Sequence, residues 1–202
     1  MIQLLVNSKV TASVSDTSFG GVPVKNANQA FEWPLCQTCD LPMQFLGKIA
    51  TDIGMHNIFM CQNDPGGCGE WDCDSGANRV IINQNQMLER VTEIPETGEA
   101  LRDTHYGGCI LSVDKTSYHD AHGDWPYDDS YQSRDILGQL YGEPSWLQGD
   151  ETPNCDTCQK PMRFVAQLEQ GPGWETEMNF AGGCAYLFDC ADCIKGKFLW
   201  QC

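Results

Sequence analysis

Two twelve-residue stretches, 34–45 and 153–164, carry one pattern at a constant offset of 119 residues. The first reads Pro34-Leu35-Cys36-Gln37-Thr38-Cys39, then Pro42-Met43-Gln44-Phe45; the second reads Pro153-Asn154-Cys155-Asp156-Thr157-Cys158, then Pro161-Met162-Arg163-Phe164. Seven of the twelve positions are identical, including both cysteines of each Cys-x-x-Cys hook. An internal repeat of that density constrains the architecture before any single element does. The likeness runs on in both directions. Upstream, Phe19-Gly20-Gly21-Val22-Pro23 aligns with Leu140-Tyr141-Gly142-Glu143-Pro144 at an offset of 121. Downstream, Ile58-Phe59-Met60-Cys61 aligns with Leu187-Phe188-Asp189-Cys190 at 129, and the ten extra residues fall around Gly171-Pro172-Gly173, an enlarged loop. We read one domain, 1–202, made of two repeats, 1–95 and 136–202, joined by an acidic connector, 96–135.

Strands follow the hooks. Met43, Phe45, Gly47 and Ile49 alternate with Gln44, Leu46, Lys48 and Ala50, and Met162, Phe164, Ala166 and Leu168 alternate with Arg163, Val165, Gln167 and Glu169. A period of two is what a half-buried antiparallel strand requires. Further strands are expected at 56–61, 79–83, 109–113, 184–189 and 197–201. The helix candidates are Ser133–Tyr141, with Ser133 as N-cap and Gly142 as its stop, and more weakly Gln84–Arg90. The stretch Asp114–Asp135 shows no apolar period and reads as a long surface excursion. The fold class expected is α+β and β-rich: pseudo-two-fold, mixed or antiparallel sheets with zinc-ribbon-like hairpins and few short helices. Twenty glycines and ten prolines among 202 residues suit such a loop-rich chain.

Twelve cysteines permit either disulfides or metal. Disulfide-dense chains are usually small secreted domains that lack a core. This chain has 41% hydrophobic residues, and Met1 to Val10 carries no basic region before its short apolar run. We therefore expect no secretory signal, a reducing cytoplasm and metal-bound thiolates. Zinc takes four ligands in a tetrahedron, commonly from two Cys-x-x-Cys hooks. In the second repeat these are Cys155/Cys158 and Cys190/Cys193. In the first they are Cys36/Cys39 with Cys61 and, beyond a stretched spacing, Cys68, with Cys73 as the runner-up. Two structural zinc ions per chain are expected. Cys109 and Cys184, each after a Gly-Gly pair, read as small buried hydrophobes that begin strands; Cys202 reads as an ordinary thiol.

Catalytic chemistry finds no constellation. Each hook precedes Pro-Met and a strand, whereas a redox Cys-x-x-Cys opens a helix in a βαβ setting. No pattern joins His105, Cys109, His119 and His122 into a nucleophilic site, and no phosphate-binding glycine loop is present. The formal charge of −16 opposes binding to a phosphate backbone, which relies on clustered Lys and Arg. No run of residues is long and apolar enough for a membrane helix. The charge suits a basic protein partner, or serves solubility alone. Aromatic anchors for such a partner are Trp125, Tyr127 and Tyr131, interleaved with Asp124, Asp128, Asp129 and Asp135; the alternative is packing of that loop onto the sheet.

These residues resemble the YwqG-like family of bacterial domains of unknown function. The similar features are Gly20-Gly21-x-Pro23, Trp33-Pro34 and Pro42-Met43-x-Phe45-Leu46 in the first half. In the second they are Gly142-x-Pro144-x-Trp146-Leu147-Gln148-Gly149-Asp150, Met162-x-Phe164-x-Ala166-Gln167 and Gly182-Gly183-Cys184-x-Tyr186-Leu187-Phe188. The resemblance implies a duplicated β-rich fold and no established activity. A more distant likeness is to programmed-cell-death-2-type proteins, zinc-containing chaperones of a ribosomal protein, and implies the shielding of a basic client. The resulting expectation is a non-catalytic, zinc-stabilised acidic module that binds a basic protein, as a chaperone or a toxin-neutralising immunity protein. The alternatives are a Cys-His enzyme and a metal sensor.

Overall fold

The computed structural model describes residues 1–8, 12–84, 87–125 and 135–202. The chain is mostly β. Its strands are β1 (Ile2–Asn7), β2 (Ser18–Gly20), β3 (Val24–Asn26), β4 (Gln44–Thr51), β5 (Gly54–Met60), β6 (Asn78–Asn83), β7 (Leu88–Arg90), β8 (His105–Val113), β9 (Ile136–Leu140), β10 (Arg163–Leu168), β11 (Cys184–Cys190) and β12 (Lys195–Gln201). Ten of them close an antiparallel barrel in the order β1-β8-β2-β4-β5-β6-β12-β11-β10-β9, with β9 returning to β1; β3 and β7 pair separately. Of the expected mixed or antiparallel sheets the antiparallel form is the one found, closed into a single ring, which leaves the sheet fewer free edges.

The ring reads the same from either side of the β6–β12 contact. Outward one way come β5, β4, β2 and β8; outward the other way come β11, β10, β9 and β1. The register agrees with this correspondence. β4 and β10 each carry a bulge in the same place, between Phe45 and Gly47 and between Phe164 and Ala166. The leading strand of each half sits in the other half, β1 beside β9 and β8 beside β2. Segment 96–135, read as a connector, therefore supplies an integral barrel strand.

Side chains of alternate parity divide between two faces. Leu46, Ile49, Ile58, Met60, Val165, Leu187, Phe198 and Trp200 join one cluster drawn from all round the ring, which is the barrel interior. The enlarged loop before β11 contributes Met178 and Phe180 to it, so the loop acts as a plug, and Arg102 donates to the carbonyl of Thr176 to hold it. On the outer face Phe45 and Phe59 underlie the first cysteine group, and Phe164, Tyr186 and Phe188 underlie the second. Full burial of an aromatic of this size contributes about 1.5–3 kcal/mol.

Both helix expectations are overturned where the structure describes them. Ile136–Leu140 is strand β9, buried along its whole length between β1 and β10. Leu88–Arg90 is strand β7 paired with β3; Ser133 and residues 85–86 lie outside the described residues. The one α-helix among the described residues is α1 (Tyr118–Gly123), inside the stretch read as a surface excursion. Ser117 caps it, accepting from the Asp120 N–H at 3.1 Å, and Tyr118 and Ala121 pack against Leu4, Val6 and Ile136. α+β is thus too generous; the fold is β with one short helix.

The Gly20-Gly21 turn places Gly20 at φ +69°, where an added Cβ would lie 1.7 Å from the Thr104 carbonyl oxygen. Gly142, at φ +76°, has open space around it. Gly142→Ala should therefore cost only the strain of a left-handed residue, about 1–2 kcal/mol. Gly20→Ala adds a backbone clash and should lower the melting temperature further, by more than about 4 °C relative to Gly142→Ala. Equal melting temperatures for the two variants contradict the close approach.

Candidate metal centres

Each hook is a tight knuckle, and the two are built alike bond by bond. In the first, the Cys36 N–H donates to the Leu41 carbonyl (2.9 Å), the Asp40 N–H to that of Cys36 (2.9 Å), and the Met43 N–H to that of Pro34 (2.9 Å). In the second the equivalent bonds run from Cys155 to Lys160 (2.9 Å), from Gln159 to Cys155 (2.8 Å) and from Met162 to Pro153 (2.9 Å). Asp40 and Gln159 both adopt left-handed φ, 57° and 59°, which turns the chain back into β4 and β10. The β4–β5 and β10–β11 pairs then return to the knuckle, at Cys61 and at Cys190.

The Sγ atoms of Cys36, Cys39, Cys61 and Cys68 all lie within 4.8 Å of one another, as do those of Cys155, Cys158, Cys190 and Cys193. Cys68 is the fourth thiol of the first group, and Cys73 stands outside it. Cys39 and Cys61 are 3.7 Å apart, and so are Cys158 and Cys190. Four sulfurs at about 2.3 Å from a tetrahedral zinc stand about 3.8 Å apart, so the donor set and its spacing fit that ion. All twelve cysteines are free thiols. Two tetra-cysteine groups are therefore positioned to bind metal ions.

The electrostatics of each group point the same way. Burial opposes ionisation of Cys36, but the backbone N–H groups of Cys39 and Thr38 outweigh it and hold that thiol below its ordinary value. N–H groups of Cys158 and Thr157 bring Cys155 down to about 6. Burial, then the neighbouring thiols, push Cys68 up and take Cys193 up to about 12. One thiolate per group is thus stabilised by the knuckle. The full set ionises only with a cation among the sulfurs.

The loop that delivers Cys68 has its own support. Glu70 is buried and accepts from the Gly66 N–H at 2.5 Å, and Asn78 donates to the carbonyls of Glu70 (2.8 Å) and Asp72 (3.1 Å). Nothing in the residue pattern marked Glu70 beforehand. The other groups missed from sequence form a network spanning both halves. Asp189, on β11, meets Arg163 of β10 at 2.8 and 2.9 Å and His56 of β5 at 3.2 Å, while Arg163 also donates to both oxygens of Asp52.

Other expectations fare differently. Cys184 is buried and opens β11, as read, but Cys109 is exposed and lies mid-strand in β8. The reason is that β8 runs past the short β2, with Ile110 and Leu111 also exposed. His105 and Cys109 are four residues apart on that one strand, about 13 Å, beyond hydrogen-bond reach. Trp125 is partly buried and packs against the cluster of Leu4, Val6 and Tyr118. Asp124 is exposed and paired with Lys115. Tyr127, Asp128, Asp129 and Tyr131 lie outside the described residues. Among those described, no helix is long and apolar enough to cross a membrane.

No protein-family model matches the sequence. Over 57 residues the chain is 42% identical to the uncharacterized protein YpfL of Salmonella typhimurium, a stretch covering 28% of this chain and 13% of that protein.

Proposed function

We propose that this protein is a duplicated, zinc-stapled, non-catalytic module of the reducing cytoplasm whose acidic surface engages a basic protein. The observation that carries the zinc reading is the pair of tetra-cysteine groups, each with its four sulfurs within 4.8 Å of one another and each resting on an aromatic cluster of the outer barrel face. When bound, zinc supplies no reacting atom here; it is a staple that fixes the knuckle against the β4–β5 or β10–β11 pair. Cys36, Cys39, Cys61 and Cys68 would hold one ion, and Cys155, Cys158, Cys190 and Cys193 the other.

The partner reading rests on the charge of −16 and on a difference between the knuckles. Leu35 and Leu41 are exposed on the first, whereas the equivalent positions on the second are the polar Asn154 and Lys160. Apolar anchors beside an acidic group, here the exposed Asp40 next to Leu41, suit a basic partner. The expected result of elemental analysis is about two zinc ions per chain. Affinity capture should retain a basic protein at low salt and release it as salt rises, and Leu35→Asp with Leu41→Asp should abolish retention. Recovery of the same proteins by that variant, or of no salt-sensitive basic protein at all, contradicts the binding reading.

A further inference from the structure

We propose that the loop 62–77 couples the two tetra-cysteine groups, so that a metal ion bound at one raises the affinity of the other, with Lys197 as the positioning residue of the bridge. The inference rests on reading both groups as metal sites, and it accounts for the difference in cysteine spacing between them. In the second group two residues separate Cys190 from Cys193; in the first, six separate Cys61 from Cys68, and the excursion then continues to Ala77.

The loop is fastened to the first knuckle at three points. Thr38 donates to the Cys68 carbonyl at 3.4 Å, the Gln37 N–H to that of Gly76 at 3.1 Å, and the Cys61 N–H to that of Ala77 at 2.8 Å. Between these anchors it crosses to the other half. The Trp71 ring meets Trp200 of β12 edge-on with centroids 6.2 Å apart, and the Trp71 carbonyl accepts from the Trp200 N–H at 3.3 Å. Cys73 packs against the cluster of Cys155, Phe164 and Phe188 that underlies the second group. Lys197 of β12, 9% exposed, then spans the remaining distance. Its Nζ lies 2.5 Å from Asp74 of the loop and 2.7 Å from Asp156, which stands between the two cysteines of the second hook.

Ordering the loop by a metal at Cys36, Cys39, Cys61 and Cys68 therefore also fixes Asp74 and Cys73 against the second knuckle. The reverse holds equally, because a coupling free energy is reciprocal. Contacts of this kind between sites couple affinities by about 5- to 150-fold. Both aspartates are exposed and will be screened by salt, which places the expectation at about tenfold.

The test is an anaerobic titration of reduced apo-protein with Co²⁺, read by its thiolate charge-transfer absorption. Cys39→Ser should weaken the second group about tenfold relative to its affinity in the singly filled intact chain, and Cys193→Ser should weaken the first by the same factor. Lys197→Met keeps all eight cysteines and guards against misfolded single-site variants; it should bind two Co²⁺ with the cooperativity reduced. Two independent sites in the wild-type titration overturn the coupling while leaving the metal reading intact. Unchanged cooperativity in Lys197→Met overturns the bridge assigned to that residue. Absence of a tetrathiolate spectrum overturns the metal reading itself, and the coupling with it.

Discussion

Replacing Cys155 by serine should leave the chain with no more than one bound zinc and a melting temperature lowered by more than about 10 °C. Cys155 is fully buried, and it is the thiol that the knuckle N–H groups hold nearest to its ionised form. A hydroxyl in its place is a poor zinc ligand. Structural zinc in a small motif contributes about 10–16 kcal/mol at neutral pH, and only part of it must be lost to cost several kcal/mol. That is a large share of the roughly 5–15 kcal/mol that separates folded from unfolded domains. Each kcal/mol moves the melting temperature of a chain this size by about 2–4 °C. Cys109→Ser is the control: its thiol is exposed and outside both groups, so stability and zinc content should be unchanged. A Cys155→Ser protein with two zinc ions and a near-wild-type melting temperature would falsify the staple.

The parts of this fold that could be read from the chain are those set by local chemistry. A Cys-x-x-Cys followed by Pro-Met specifies a knuckle and a strand start within a dozen residues, so both hooks and β4, β5, β10 and β11 were legible. Cys68 was reachable only through the repeat, which demanded a fourth thiol where Pro65-Gly66-Gly67 allowed the chain to fold back. β9 was not legible. Ile136, Leu137 and Leu140 sit at helical spacing because the strand is buried on both faces, and two-sided burial erases the alternation that marks a strand. Gly138, in the middle of that strand, held the clue: an added Cβ would lie 1.9 Å from the Gln167 carbonyl oxygen, a sign of close strand approach. α1 was signalled by Ser117 three residues before Asp120 and by Tyr118 and Ala121 at one-turn spacing, cues too short to outweigh the polar surroundings. The exchange of β1 and β8 between halves is a pairing over long sequence distance, which no window of residues can display.

The Asp189 network lies beyond local reading for the same reason, since Arg163 finds its partners 26 and 111 residues away, and it carries the second large expectation. Asp189 is fully buried, with Arg163 and His56 around it, and Arg163 ties it to Asp52 in the β4–β5 turn of the other half. Burial opposes the charge on Asp189, and the contacts with His56 and Arg163 outweigh that, holding its carboxyl below the usual carboxylate value. Arg163→Met keeps the aliphatic stem and removes the counter-charge. A buried carboxylate stripped of its partner costs about 3–5 kcal/mol. Because Arg163 is 40% exposed, and its bond to Asp52 is at the surface, about 3 kcal/mol is the expected loss at neutral pH. The pH dependence has a definite sign. A carboxyl whose folded pKa is depressed stabilises the fold above its unfolded pKa, and that stability is lost as pH falls through the folded value. In Arg163→Met only His56 is left to oppose burial, so the depression shrinks, Asp189 protonates at higher pH than in the wild type and its under-compensated charge disappears on acidification. The deficit of the variant relative to wild type should therefore be largest near neutrality and narrow as the solution is acidified below about pH 4. Denaturant unfolding of both proteins across that range measures it, and Asp52→Asn is the companion variant. Removing the exposed partner should cost under about 1 kcal/mol, because Asp189 keeps its arginine. A deficit for Arg163→Met that matches that of Asp52→Asn, or that grows in acid, would place the stabilisation at the surface pair and not at the buried carboxylate.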